Sequence, residues 1–186
     1  MKLKALPIGL AVVALGVGVA ACGGSSAAPG IVTAPSDGAT ATTPSNIPVS
    51  VATPTTGALA KEPNIPVPSG PAPKTLTIKT VVPGTGATVK AGDTVFVNYV
   101  GKLYNGGKTF DASWKDEPGK TFEVAKVGQA QVISGWNKGL VGLKEGGRYE
   151  LIIPPSEAYG AVKQKGIPAN STLVFVIDVV KVYPAS

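Results

Sequence analysis

Val132-Ile133-Ser134-Gly135-Trp136-Asn137-Lys138-Gly139-Leu140-Val141-Gly142-Leu143 is the stretch around which the rest of the chain must be arranged. Ile133, Trp136, Leu140 and Leu143 recur at the three- and four-residue steps of a single apolar helix face. The stretches on either side have a different grammar. Thr75–Val82, Thr94–Gly101 and Thr121–Ala125 before it, and Arg148–Ile153 and Thr172–Tyr183 after it, are β-branched runs. Gly84-Thr85-Gly86, Asn105-Gly106-Gly107 and Glu145-Gly146-Gly147 mark tight connections. Several antiparallel strands with one helix predict an α+β domain, an antiparallel β-sheet curled around one short α-helix.

Working outward, the aromatic residues set the limits of that domain. All four Phe, both Trp and all five Tyr of the 186 residues lie between Phe96 and Tyr183. The core is therefore expected within residues 74–186, a normal size for one compact domain. From Gly23 to Pro73 there are ten Pro, no aromatic residue, and only Asp37, Lys61 and Glu62 as charges. That composition cannot build a core, and residues 22–73 read as a disordered Pro/Ala/Thr-rich tether biased towards polyproline II. A glycosylated or partner-binding role for the tether stays open.

At the N-terminus, Lys2 and Lys4 precede an apolar run from Ile8 to Ala21, which is too short to span a bilayer. The run ends in Val19-Ala20-Ala21-Cys22, which resembles the lipobox of bacterial lipoproteins. Residues 1–21 are then a lipoprotein signal peptide and Cys22 the lipidation site, acylated with diacylglycerol and palmitate-type chains. Localisation is expected at the cell envelope, lipid-anchored to the membrane with the domain outside the cytoplasm. An ordinary secretory signal cleaved after small residues is the alternative.

Composition also excludes much. With no His, a Ser-His-Asp triad, a Cys-His dyad and an HExxH zinc site are impossible. One Cys permits neither an intramolecular disulfide nor a CxxC motif. The formal charge of +6, reduced to +4 without Lys2 and Lys4, is spread without basic blocks, so nucleic acid is not an expected partner. The glycine-rich turns complete no phosphate-binding motif: Val89 stands where a dinucleotide fingerprint beginning at Gly84 needs Gly.

From Gly92 to Lys181 the chain resembles the FKBP-type peptidyl-prolyl cis-trans isomerases. The residues carrying the likeness are Val97-Asn98-Tyr99-Val100-Gly101, Gly107-Lys108-Thr109-Phe110-Asp111-Ala112-Ser113, Val132-Ile133-Ser134-Gly135-Trp136, Gly139-Leu140, Pro154, Ala158-Tyr159-Gly160, Gly166-Ile167-Pro168 and Ser171-Thr172-Leu173-Val174-Phe175. The resemblance implies an enzyme that accelerates X-Pro bond rotation in exported proteins, with no cofactor and no metal. It implies Trp136 as the floor under the prolyl ring, with Tyr99, Phe110, Val132, Ile133, Ile167 and Phe175 as substrate-binding walls. Asp111 and Tyr159 are the implied catalytic polar groups, Tyr159 and the Ile133 N–H donating to a substrate carbonyl. Partners implied are proline-containing exported polypeptides and, as inhibitors, macrolide immunosuppressants, acting on a monomer. Without the resemblance, the aromatics read equally as core, and Asp111 as a turn residue.

Two stretches depart from the family pattern. Val124 stands where many members have a second aromatic, in a segment one residue longer before Gly128. Ala161–Ile167 is about one residue short and carries Lys163, Gln164 and Lys165. Readings from other classes are a non-catalytic proline-binding or chaperone-like module and a purely structural envelope lipoprotein. Two polar groups converging on an apolar hollow favour the enzyme. If Cys22 carries the anchor, Cys22→Ser moves the protein from the membrane fraction to the soluble one. Equal retention on membranes after a high-salt wash would exclude attachment through this residue.

Overall fold

A computed structural model of the chain describes residues 50–66, 68–116 and 119–185. The expected signal peptide, Cys22 and the expected tether as far as residue 49 lie outside the described residues. Among the described residues, β1 (Thr77–Val82), β2 (Thr94–Leu103), β3 (Thr109–Ala112), β4 (Phe122–Val124), β5 (Arg148–Ile153) and β6 (Leu173–Tyr183) form one antiparallel sheet. Its order is β1-β5-β6-β2-β3, and β4 shares the outer edge of β2 with β3. β4 pairs with Val95–Val97 and β3 with Val100–Lys102. The long strand β2 therefore carries two short strands end to end.

α2 (Ser134–Gly139) lies on that concave face, as the apolar spacing at 133–143 leads one to expect. Ile133 is its N-cap and Leu140 its C-cap, so the helix is a turn and a half, and Leu143 packs beyond its end. Gly135 and Gly139 bring it unusually near β5. A Cβ on Gly135 would collide with Ile153, and one on Gly139 would come within 2.6 Å of Leu151. The close approach seats Trp136 and Leu140 among Val97, Tyr99, Leu151, Ile153, Phe175 and Ile177 in the main core.

The structure differs from the sequence reading in three places. The connection after Asn105 contains a strand, β3, and is followed by a one-turn helix, α1 (Ser113–Asp116), so α2 is not the sole helix. Neither has enough residues for a period to register. The third difference is larger: the tether does not run to residue 73. Its last part crosses the convex face of the sheet. Ile65 is 1% exposed there and packs in a second cluster with Val100, Tyr104, Ala112, Val174 and Val176. The Ile65 carbonyl accepts a hydrogen bond from Lys102 Nζ at 2.8 Å, and the Lys61 carbonyl one from Arg148 Nη2 at 2.8 Å. A segment poor in large residues can still dock when a single Ile finds a waiting apolar face.

Arg148 and Asp178 are register partners on β5 and β6 beneath this strap. Their pairing is bidentate, Nε to Oδ1 at 2.6 Å and Nη2 to Oδ2 at 2.8 Å, and Asp178 is 1% exposed. Burial pushes the Asp178 carboxyl above its ordinary range, against the opposing hydrogen bonds and charge of Arg148. Removing one member leaves the other charge buried without compensation. Asp178→Asn is therefore expected to lower the unfolding free energy at neutral pH by about 3–5 kcal/mol in urea titration. A loss under about 1 kcal/mol, the size seen for exposed pairs, would contradict burial of this pair.

Candidate active site

Between α2, the inner face of β2 and β6, and the loops at their ends is a small recess, partly open to solvent. Phe122, Gln131, Val132, Ile133, Trp136, Tyr159 and Phe175 line it. Trp136 is the floor, 2% exposed. The rings of Tyr99, Phe122 and Phe175 stand edge-on to it at centroid distances of 5.2, 6.1 and 5.3 Å. Phe110 stands edge-on to Phe175 in turn, at 5.5 Å. Such edge-to-face pairs add about 0.5–1.5 kcal/mol each to simple burial and fix the ring planes, so the recess is a rigid apolar box.

Gly101 makes the box possible. On the inner face of β2, a Cβ there would fall 2.7 Å from the Phe110 ring and 2.8 Å from that of Phe175. The Gly of Val97-Asn98-Tyr99-Val100-Gly101 is thus a gap into which two walls lean.

The loops that finish the recess hang from α2. Asn137 Oδ1 accepts hydrogen bonds from the N–H groups of Gly128 (2.9 Å) and Ala130 (3.0 Å), while its Nδ2 donates to the Ala130 carbonyl at 2.9 Å. That side chain holds the segment leading into Gln131, Val132 and Ile133. On the other side, Ser134 Oγ donates to the Glu157 carbonyl at 3.2 Å, and Lys138 lies 3.2 Å from Glu157 Oε1. These contacts fasten the 3-10 turn Pro155–Glu157, immediately ahead of Tyr159.

Polar groups at the recess are sparse. Asp111, at the end of β3 and 9% exposed, accepts a hydrogen bond at Oδ2 from the Tyr99 hydroxyl, 2.9 Å away. Tyr159 is half-buried in the wall. Burial raises the pKa of its hydroxyl above 10.0, and the negative charge of Asp111 adds to the effect. The hydroxyl is therefore held as a donor. The segment after it folds back through Gln164 and Ile167, which exchange N–H···O bonds of 3.0 and 3.1 Å, and Ile167 is buried in the main core.

The structure thus brings Val132, Ile133, Trp136, Tyr159 and Phe175 together on the recess itself. Tyr99, Phe110, Asp111 and Ile167 stand behind or beside that surface. Cys22 lies outside the described residues. Phe122 and Gln131 line the recess although the sequence reading passed over both. Phe122 had a signal, a bulky aromatic two residues from Val124 on the same strand face, whereas nothing in the sequence sets exposed Gln131 apart. Val124 is 1% exposed in the core and is not a lining residue, so the departure noted there falls behind the wall.

Residues 86–180 match the family of FKBP-type peptidyl-prolyl cis-trans isomerases. The FK506-binding protein of Streptomyces anulatus is 44% identical over 124 residues, covering 66% of this chain and 98% of that protein. FK506-binding protein 4 of Chaetomium thermophilum is 52% identical over 99 residues, covering 53% of this chain but 20% of its own length. The crystal structure of FkpA from Escherichia coli superposes with a TM-score of 0.52 at 42% identity, covering 60% of this chain and 49% of FkpA. The chain therefore spans a fifth to a half of the length of some relatives and nearly all of another.

The raised pKa of Tyr159 has a direct spectroscopic consequence. In an ultraviolet pH titration, the phenolate signal lost in Tyr159→Phe relative to wild type should have its midpoint above pH 10.0. A midpoint below that value would mean that the hydroxyl is hydrated and remote from Asp111.

Proposed function

The chain belongs to the FKBP-type peptidyl-prolyl cis-trans isomerase family, and from that premise we propose that it accelerates rotation about X-Pro bonds in exported polypeptides from a lipid-anchored position at the cell envelope. The observation that carries the reading is the Trp136-floored aromatic recess with Tyr159 in its wall. Rotation about the bond faces a barrier of about 18–20 kcal/mol because twisting costs the amide its resonance. The twisted amide has less charge separation than either planar isomer, so an apolar, water-poor box binds it better than both.

Named residues divide this work. Trp136, Phe110, Phe122 and Phe175 enclose the prolyl ring, and Val132 and Ile133 support the residue on one side of it. Tyr159 donates to a substrate carbonyl, and its raised pKa keeps the proton in place. Asp111, tied to Tyr99 through its Oδ2, places negative charge beside the amide whose carbon becomes more ketone-like as it twists. No proton is transferred, so turnover is expected to vary little between about pH 6 and 8. The same box suits the macrolide immunosuppressants. Lipid anchoring rests on the Val19-Ala20-Ala21-Cys22 pattern, which also favours exported clients over cytoplasmic ones.

Tyr159→Phe deletes one neutral hydrogen bond and is expected to lower kcat/KM roughly two- to tenfold, the equivalent of about 0.5–1.5 kcal/mol. Asp111→Ala should cost a similar or somewhat larger factor. Phe110→Ala opens the wall against Phe175 and should weaken both substrate and macrolide binding more severely than either. Isomerisation of a short X-Pro peptide and refolding of a proline-limited protein measure all three. An inactive wild type that still binds the peptide would favour a non-catalytic proline-binding module, and complete loss in Tyr159→Phe would assign that hydroxyl a chemical role.

A further inference from the structure

The strap across the convex face reaches the recess by a route that the chain's family likeness does not use. At its start, Val51, Ala52 and Thr53 pair antiparallel with the segment ending at Thr121. Ala52 bridges Lys120, Thr53 N–H donates to the Gly119 carbonyl at 3.0 Å, and Thr121 N–H to the Val51 carbonyl at 3.2 Å. Thr121 Oγ1 donates to that same carbonyl at 2.6 Å. Thr53 Oγ1 donates to Asn98 Oδ1 at 3.3 Å, tying the pairing to β2, where Asn98 is 1% exposed. The residue after Thr121 is Phe122, a wall of the recess, edge-on to Tyr99 at 5.6 Å and to Trp136 at 6.1 Å.

β4 itself is three residues long, so its hold on β2 is brief. The pairing with 51–53 continues the ladder at the end where Phe122 begins, and Lys61 and Ile65 pin the strap farther along. The family match begins at residue 86, so the strap lies outside the segment that carries the family likeness.

We propose that residues 51–65 are a positioning element for the recess: by pairing with 119–121 they hold Phe122 against Trp136 and set the affinity for the proline-bearing segment. The inference rests on the recess being the substrate site. Thr121 and Ile65 are its positioning residues and touch no substrate. Because Phe122 encloses the ring in every state of the amide, loosening it weakens ground state and transition state alike. The effect should appear in KM and spare kcat.

The test uses the full chain in four forms: wild type, Thr121→Val, Thr121→Ser and Ile65→Glu. Thr121→Val removes the hydroxyl bond to Val51 while keeping a side chain of the same shape, Thr121→Ser restores the hydroxyl, and Ile65→Glu places a charge under the strap to undock it. KM and kcat for a short X-Pro peptide are measured beside the calorimetric dissociation constant of the same peptide, and protease sensitivity of residues 50–66 reports undocking. Thr121→Val and Ile65→Glu should raise KM and the dissociation constant roughly two- to tenfold with kcat within about twofold, and Thr121→Ser should stay within about twofold of wild type. An undocked strap with unchanged KM, a loss confined to kcat, or failure of Thr121→Ser to restore affinity would each overturn the proposal. A wild type that binds peptide without turning it over would sink the isomerase reading alone, since the binding series still decides the strap. A wild type that does not bind would sink both.

Discussion

The close approach of α2 to β5 is the constraint on which the rest of the site depends. Gly135 and Gly139, one turn apart, let the helix settle onto Ile153 and Leu151 at a distance that any side chain would forbid. Three consequences follow from that single contact. Trp136 is driven to the bottom of the concave face, where its ring becomes the recess floor. Asn137, on the next helical position, reaches the loop at 128–130 and holds one rim. Ser134 and Lys138 reach the turn before Tyr159 and hold the other. A helix of six residues could not be stable alone, and here it needs no intrinsic stability because the sheet encloses it.

Aromatic packing then converts that placement into a shape. Tyr99, Phe122 and Phe175 all meet Trp136 edge-on, with interplanar angles of 83, 88 and 84°. In each such pair the positive edge of one ring meets the electron-rich face of the other, and none can slide without losing a partner. The hollow left between them is therefore preformed, which reduces the ordering cost of binding a proline ring. The scarcity of polar groups follows the same logic. For the proposed reaction, a site that favours a less polar transition state needs few polar groups, and the two at hand, Asp111 and Tyr159, stand at its edge.

Much of this was legible in the sequence, for identifiable reasons. The helix announced itself through Ile133, Trp136, Leu140 and Leu143, and the strands through β-branched runs long enough to show against their glycine turns. Val132, Ile133, Trp136, Tyr159 and Phe175 were legible as a group through ordered likeness to a family, not through periodicity, because Phe175 looks like any inward-facing strand residue. β3 and α1 were not legible, since four residues each carry no period and both exist through pairing with β2 and packing beside it. The docked strap was hidden by composition. Yet a trace of it stood in β2 and β6: Val95-Phe96-Val97 and Leu173-Val174-Phe175-Val176-Ile177 are continuous apolar runs, with no alternation of a one-faced sheet. Such runs require a cover on both faces. The concave face had the helix, and over Val174 and Val176 the convex face had Ile65 waiting in a segment whose prolines disguised it.

Docking of the strap also changes the mechanics of the chain ahead of the domain. For a protein held at Cys22, as proposed, the docked part of the chain starts at Val51, where pairing with 119–121 begins, and not at residue 74. Even fully extended, the residues between Cys22 and Val51 could span no more than about 100 Å. The domain would therefore sit nearer its anchor than composition suggests. Its point of attachment would be the ladder beside Phe122, on the mouth side of the sheet, and not the far edge strand β1. The recess and the anchor point then share one end of the molecule. A client polypeptide entering the recess would then approach from the side on which the chain joins the ladder at 51–53.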